Sequence, residues 1–391
     1  MLAYFRRLVR HELFFPIAVV AVYFVVNLIL VLHHEQWRGE TNPWQIAKVL
    51  NLENMIEVVR TEPQSLLWIL ILTPLAKLGL PLVTANVVSL LIMSFSVFLL
   101  ARHAPFSRLS VVVLALSAVF LYFNPVIAGG YCLVVLGMVV AVCIYRTRRV
   151  VALVVAGASA LMVLPAAIET WQGWSANRQT DWLVALNQAW FGVSLPVFEL
   201  VVMFVLTYAF FNYLRRPAWL HRWAQKLEIA KLLKRVPAVA LVVIPAAVTI
   251  PLTLTSALSD MSTDYSYSRK LAEYINAQTP PGAVVLTGSA DSAGVAAGLV
   301  MLLEDDRKVY DIGSETYMNF YLRTTYPEVG QEDLRRVTES LAGNEVYYLA
   351  SAYACAVKND TSLTLLETFE SSNELREGTL SLYQVAIVAD E

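Results

Sequence analysis

Charge is what this sequence has least of. Of its 391 residues, 15% are charged and 57% are hydrophobic, where a soluble domain carries about 25% charged residues. That excludes an ordinary soluble enzyme. Cysteine is scarce: Cys132 and Cys143 sit in apolar runs and Cys355 stands alone, which excludes a disulfide framework and a cysteine-based metal site. Histidine occurs five times and never after residue 258, so the last third has no nucleophile–His–acid set. That third also lacks a basic patch, which excludes nucleic acid as a partner. No internal repeat and no low-complexity segment is present.

What the chain has instead is long apolar runs. They fall at 14–33, 65–81, 83–101, 109–124, 130–145, 150–169, 195–214 and 236–257. Several reach the roughly 18 residues that a membrane span needs. The first run follows Arg6, Arg7 and Arg10. It is long enough to span and no small-residue cleavage pattern follows it, so it reads as an uncleaved signal anchor.

The basic residues between the runs set an orientation. If 65–81 does not cross, the cytoplasmic side receives the N-terminus, Arg102, Arg108, Arg146, Arg148, Arg149 and the cluster from Arg215 to Arg235. Arg38, Lys48, Arg60 and Arg178 are then the basic residues outside. Pro74, Lys77 and Gly79 also disfavour 65–81 as a lipid-facing span. The expectation is a polytopic α-helical membrane protein with about seven spans and one re-entrant or partial segment. Its N-terminus is cytoplasmic and it sits in the plasma (inner) membrane. The basic helical stretch 215–235 reads as an in-plane anchor on the inner leaflet.

Residues 1–258 hold twenty Lys and Arg against ten Asp and Glu, whereas residues 259–391 hold nine against twenty-one. That reversal predicts a boundary: a transmembrane domain 1–258 with an outer loop 33–64, then an extracytoplasmic α/β domain 259–391. The latter alternates helices (268–278, 292–303, 331–342) with strands (283–287, 309–312, 346–350) and ends in two further β-type runs (363–369, 380–388). This pattern predicts a small three-layer domain with a partly parallel sheet.

The polar passage from His33 to Trp68 carries Glu35, Glu40, Glu53, Glu57 and Glu62 in a region otherwise poor in acids. Its middle predicts one amphipathic helix with Ile46, Val49, Leu52, Ile56 and Val59 on a common face. Glu40 and Glu62 bracket that helix. Paired carboxylates at a lipid interface suit a divalent cation or the activation of a hydroxyl; solvated loop charge is the plainer alternative. Glu199 lies inside an apolar run, where an ionisable group is costly and marks a site or a paired structural role, for instance with Arg178. Glu169 and Asp181 flank the preceding outer loop. His33 and His34 beside Glu35 allow a metal reading, though interfacial histidines are common. The stretch TGSADSAGVAAGL from Thr287 opens a helix after a strand. It lacks G-x-G-x-x-G spacing and a following lysine, so small residues packing a helix on a sheet explain it better than a phosphate turn.

Those motifs resemble a divergent bacterial branch of the GT-C-type membrane glycosyltransferases, the group that includes protein O-mannosyltransferases and lipid A aminoarabinose transferases. The resemblance rests on Trp37-Arg38-Gly39-Glu40, Trp44, Ile46-Ala47, Glu62-Pro63-Gln64 before Leu67-Trp68, PLAKLGLP (74–81), the turn from Arg102 to Phe106, and Tyr267-Ser268. It implies a polyprenyl-phosphate sugar as donor, a glycan, lipid or protein acceptor, and a membrane lipid environment. It implies Glu40 as a catalytic residue, with Glu199 as a further candidate. Glu62, Arg38 and Gln64 would bind the donor phosphate, and Glu62 with Glu169 would hold a divalent cation such as Mg or Mn. Three positions depart from the family pattern. Gly39 stands where the family keeps an Asp base, Gln64 where it keeps a His, and Gly129 where it keeps an Arg. A catalytically degenerate scaffold, or lipid-binding partner in an envelope glycan pathway, is therefore the alternative reading.

Overall fold

The structure is a computed structural model. It describes residues 12–36, 38–61, 65–104, 108–117, 119–145, 147–159, 254, 257–258, 260–261, 268–288, 290–320, 329–341, 343–351, 362–369 and 379–386. The chain divides into two compact units. One comprises residues 1–34 and 85–261, the other residues 35–84 and 262–391.

In the first unit, helix α1 (Phe14–His33) is long and apolar enough to cross a membrane. At 1.5 Å per residue, its 20 residues reach about 30 Å. The second unit contributes α2 (Arg38–Val49), α3 (Leu52–Thr61) and α4 (Leu66–Lys77). Helix α5 (Val83–His103) is the other helix of spanning length among the described residues. The chain continues through α6 (Arg108–Ala115), a π-helical turn (Val119–Phe123), α7 (Tyr131–Ile144) and the apolar helix α8 (Arg149–Ser159).

Polar contacts pair the beginning of α1 with the end of α5. Arg102 meets the Glu12 carboxylate at 3.0 Å, and the Arg108 guanidinium stands 5.2 Å from the centroid of the Phe15 ring. These contacts set the start of α1 beside the end of α5 and the start of α6. An exposed ion pair of this kind contributes little energy, but it fixes which ends are neighbours. The run 65–81 forms only the 12-residue α4, about 18 Å long and too short to span a bilayer.

The run 109–124, expected to be one apolar helix, breaks instead after Ala115 into the π-helical turn and a buried stretch through Ala128. Breaking a helix frees backbone carbonyls, and side chains satisfy several of them. The Tyr23 hydroxyl donates to the Phe120 carbonyl. Asn86 Nδ2 donates to Val126 O at 2.7 Å, and Ser89 Oγ to Asn124 O at 2.8 Å. Asn124 Nδ2 donates to Val119 O at 2.9 Å. Tyr23, Asn86, Ser89 and Asn124 thus share one task here.

The second unit contains a six-stranded mixed sheet. Helix α9 (Ser268–Gln278) leads to β1 (Val284–Thr287), α10 (Ala290–Leu302), β2 (Lys308–Asp311) and β3 (Thr316–Tyr317). Then come α11 (Gln331–Ser340), β4 (Val346–Ser351), β5 (Leu363–Phe369) and β6 (Leu380–Val385). The strand order is β3-β2-β1-β4-β6-β5. β1 is parallel to β2 and β4, and the remaining pairings are antiparallel. The sequence pattern missed only the two-residue β3, which is too short to show an alternation.

Period-two alternation gives each sheet face its own core. Val285, Val309, Tyr347 and Leu349 pack under α9 and α10 with Leu271, Ile275, Val295 and Leu299. Val284, Leu286, Val346 and Tyr348 pack under α11 with Leu334, Val337 and Leu341. Gly298 lets α9 and α10 approach, since a Cβ there would stand 2.8 Å from Ser268 Oγ. The turn into β1 uses Gly282 at φ +78°, a conformation that favours glycine.

Buried Arg307 closes the C-terminal end of α9. Its guanidinium donates to Asn276 O at 3.0 Å, Thr279 O at 2.6 Å, Thr279 Oγ1 at 3.0 Å and Glu304 O at 3.0 Å. Replacing it takes this donor from the Asn276 and Thr279 carbonyls, while Glu304 O keeps the Arg307 amide at 3.2 Å. Arg307→Met is expected to lower the unfolding free energy of this unit by about 3 kcal/mol, and Arg307→Lys to recover only part of it, as read by denaturant unfolding of the purified full chain.

Two tyrosines set the alkaline limit. Tyr347 and Tyr348 are both pushed up to about 12, Tyr348 mainly by burial and Tyr347 by burial together with the hydrogen bond it donates to Glu345 Oε2 at 2.8 Å. The unfolded phenol titrates near 10, so above that pH the folded unit holds protons the unfolded chain has lost. Their contribution to stability is complete below about pH 10 and is lost as pH rises through about 12. Phenolate absorbance during alkaline titration is expected to show these two groups ionising late, together with loss of the fold.

Candidate functional site

The polar passage after α1 folds into two helices rather than one. The Asn51 side chain accepts from the Asn54 amide at 2.9 Å and starts α3 afresh. This break rotates the apolar face that the sequence pattern implied. Ile46, Ala47 and Met55 are buried, whereas Val49, Leu52 and Ile56 are 50%, 56% and 40% exposed. The physical reason is a change of helix axis at Leu50–Asn51, across which a 3.6-residue period cannot be continued.

Helix α2 lies between α4 and α10 within the second unit. Trp44, Ile46 and Ala47 are buried there together with Glu40, Thr41, Asn42 and Gln45. Four polar residues in one and a half turns, each at most 2% exposed, are unusual. Gln45 Nε2 donates to Ala297 O on α10 at 2.7 Å, while its Oε1 has no partner among the described residues. Just before α2, a Glu35 carboxylate oxygen accepts from the Arg269 amide at 3.1 Å, in the first turn of α9. A carboxylate at a helix N-terminus is favoured by the unpaired amides and the helix dipole.

The predicted site residues fare differently. Glu40 is in the first turn of α2 and 1% exposed. Arg38 begins α2, and its side chain lies outside the described residues, as do Glu62, Gln64, Glu169 and Glu199 entirely. Asp181 and Arg178 also lie outside them, as does the anchor stretch 215–235. Gly39 is part of α2, and Gly129 follows the buried stretch 121–128. Whether Glu40 meets Glu62 and one of Glu169, Asp181 or Glu199 therefore lies outside the described residues. Among these, no group of three His, Cys, Asp or Glu side chains is placed to hold a metal ion.

The small-residue stretch after β1 serves packing. A Cβ on Gly288 would stand 2.8 Å from Val329 Cγ2, and Gly298 faces Ser268. His33 Nδ1 is 2.8 Å from Ile29 O in an exposed setting. His34 is different: its Nδ1 meets Asp260 Oδ2 at 2.7 Å with both side chains buried, inside the first unit. Asp260, Gln45, Thr41 and Asn42 were not singled out in the sequence. His34 and Asp260 are 226 positions apart, and no spacing rule connects them.

No family model, curated protein or solved structure matches the chain.

Removing one member of a buried polar pair strands the other. His34→Leu is expected to destabilise the first unit by about 3 kcal/mol, and His34→Leu with Asp260→Leu by clearly less. Thermal melting of the four members of the cycle in one detergent measures this coupling.

Proposed function

We propose that the chain is a multi-pass membrane glycosyltransferase of GT-C type. It would move a sugar from a polyprenyl-phosphate donor to a glycan, lipid or protein acceptor at the outer face of the plasma membrane. In this reading about seven segments span, α4 is the partial segment, the N-terminus is cytoplasmic and the domain 259–391 is extracytoplasmic. Two helices long and apolar enough to span support it, as does the shortness of α4, which follows α1 and precedes α5 in the chain. The observation that carries the reading is Glu40 in its motif, a buried carboxylate at the start of a helix packed in a polar setting.

The chemistry would be an inverting displacement. Glu40 takes the proton of the acceptor hydroxyl, the acceptor oxygen forms a bond to the anomeric carbon, and the bond from that carbon to the donor phosphate oxygen breaks. Polyprenyl phosphate leaves with the electron pair. A general base of this kind contributes about 10²–10⁴ in rate. Arg38, Glu62 and Gln64 would bind the donor phosphate, and Glu199 is the further catalytic candidate. A divalent cation held by Glu62 and Glu169 would offset phosphate charge. Both residues lie outside the described ones.

A second reading, a GT-C-shaped scaffold or lipid-binding partner without catalysis, is favoured by one observation. Glu40 is almost wholly enclosed, and the neighbouring position that carries the base in the resembled family is Gly39. Glu40→Gln and Glu62→Gln are expected to reproduce the surface-glycan profile of a deletion strain while the protein accumulates normally in membranes. A wild-type glycan profile in both variants, from a deletion that itself has a phenotype, would replace the enzyme with the scaffold.

A further inference from the structure

Helix α4 is apolar on every side, yet its own unit covers only one. Trp68, Ile69, Leu72 and Ala76 are buried in the second unit, whose closest helical neighbour to α4 is α2. The opposite row, Leu67, Leu70, Pro74 and Leu78, follows helical spacing and is exposed, Leu78 to 76%. No charged side chain interrupts it before Lys77. Lys77, at the last turn, is the one ion of the helix, and the exposed Leu80 and Pro81 extend the row beyond. A contiguous bare apolar row of this length marks an interaction surface rather than scattered exposure.

We propose that this row is a monotopic membrane-insertion face, lying in the plane of the bilayer with its leucines in the acyl boundary. The occupant follows from chain continuity. The second unit includes the first residues of α5, a helix of spanning length, and begins at Glu35, two residues after α1 ends. Helix α5 itself presents bare Leu91 and Phe95 farther along. Both ends of segment 35–84 are thus covalently fixed at the ends of apolar helices, and α4 is too short to cross. Pro74 sets the depth. It has no N–H to give the Leu70 carbonyl, so that oxygen needs a polar partner, which the headgroup boundary supplies and the hydrocarbon centre does not. Lys77 can extend its ammonium to the headgroups from the same row. The inference rests on the membrane reading above and adds to it an in-plane attachment that holds α2, and with it Glu40, at the surface.

The test is spin-label accessibility in the full chain, reconstituted in bilayers of zwitterionic and anionic phospholipid, with Cys132, Cys143 and Cys355 replaced by Ala. Nitroxides at Leu67, Leu70 and Leu78 are expected to collide with dissolved oxygen in preference to a nickel chelate, by a ratio several-fold above that of a label at Glu57. Access to nickel at these positions, or to neither reagent, would overturn the proposal, the first placing the row in water and the second under protein. Labels at Val22 and Val25 of α1 separate the two readings. If they too favour nickel, the membrane reading itself fails; if they favour oxygen while α4 does not, only the insertion face fails. Should the cysteine-free chain not fold, a photoactivatable phenylalanine at Leu70 or Leu78 of the native chain gives the same decision, with phospholipid adducts expected and protein adducts alone overturning it.

Discussion

The second unit depends on the seating of α2 between α4 and α10. Two polar contacts give that seating its register: Gln45 to the Ala297 carbonyl and Glu35 to the Arg269 amide. Each is worth on the order of 1 kcal/mol net, small beside the burial of Trp44, Ile46 and Trp68 around them. Their importance lies in direction. Apolar packing alone would let α2 slide or rotate on its neighbours, whereas a buried amide side chain engages its acceptor in only one register. Once α2 is set, so are Glu40, Thr41 and Asn42. The sheet with its α9, α10 and α11 then carries further helical cover, of which α4 supplies the outermost part.

The first unit solves a different problem with the same means. A helix broken inside an apolar bundle releases carbonyls that water cannot reach, and Tyr23, Asn86, Ser89 and Asn124 satisfy those around the π-helical turn. Such a break has a cost that a straight helix would avoid, and it is retained beside Gly129, one of the positions where the motif resemblance lapses. The contact of Glu12 with Arg102, which sets the start of α1 beside the end of α5, is independent of that break.

Legibility in the sequence followed the range of the interaction. The α/β elements could be read almost to the residue, because the turn TPPG, the alternation in Val284–Thr287 and the amphipathic run Gln331–Ser340 are local signals. The shortness of α4 was legible from Pro74, Lys77 and Gly79. The split between α2 and α3 was not, since Asn51 can be either a helix residue or a cap and only the cap geometry decides. The partnership of segment 35–84 with the C-terminal third was invisible, as were His34–Asp260 and Gln45–Ala297. Contacts across more than two hundred positions leave no period in one sequence. Glu40 was picked out by motif. Its burial, which bears most on whether it acts as a base, could not be.

The discontinuity of the second unit has a consequence for synthesis. Its first part, residues 35–84, leaves the ribosome before all of residues 85–261, and its second part after them. Until α10 arrives, α2 has nothing to accept the Gln45 amide. Such non-local closure is slow, because the intervening chain must be made and placed before the contact can form. The seating of α2 can therefore form only after residues 85–261 and α10 have been made, and a product truncated before α10 would present the unfinished surface of α2 to proteolysis.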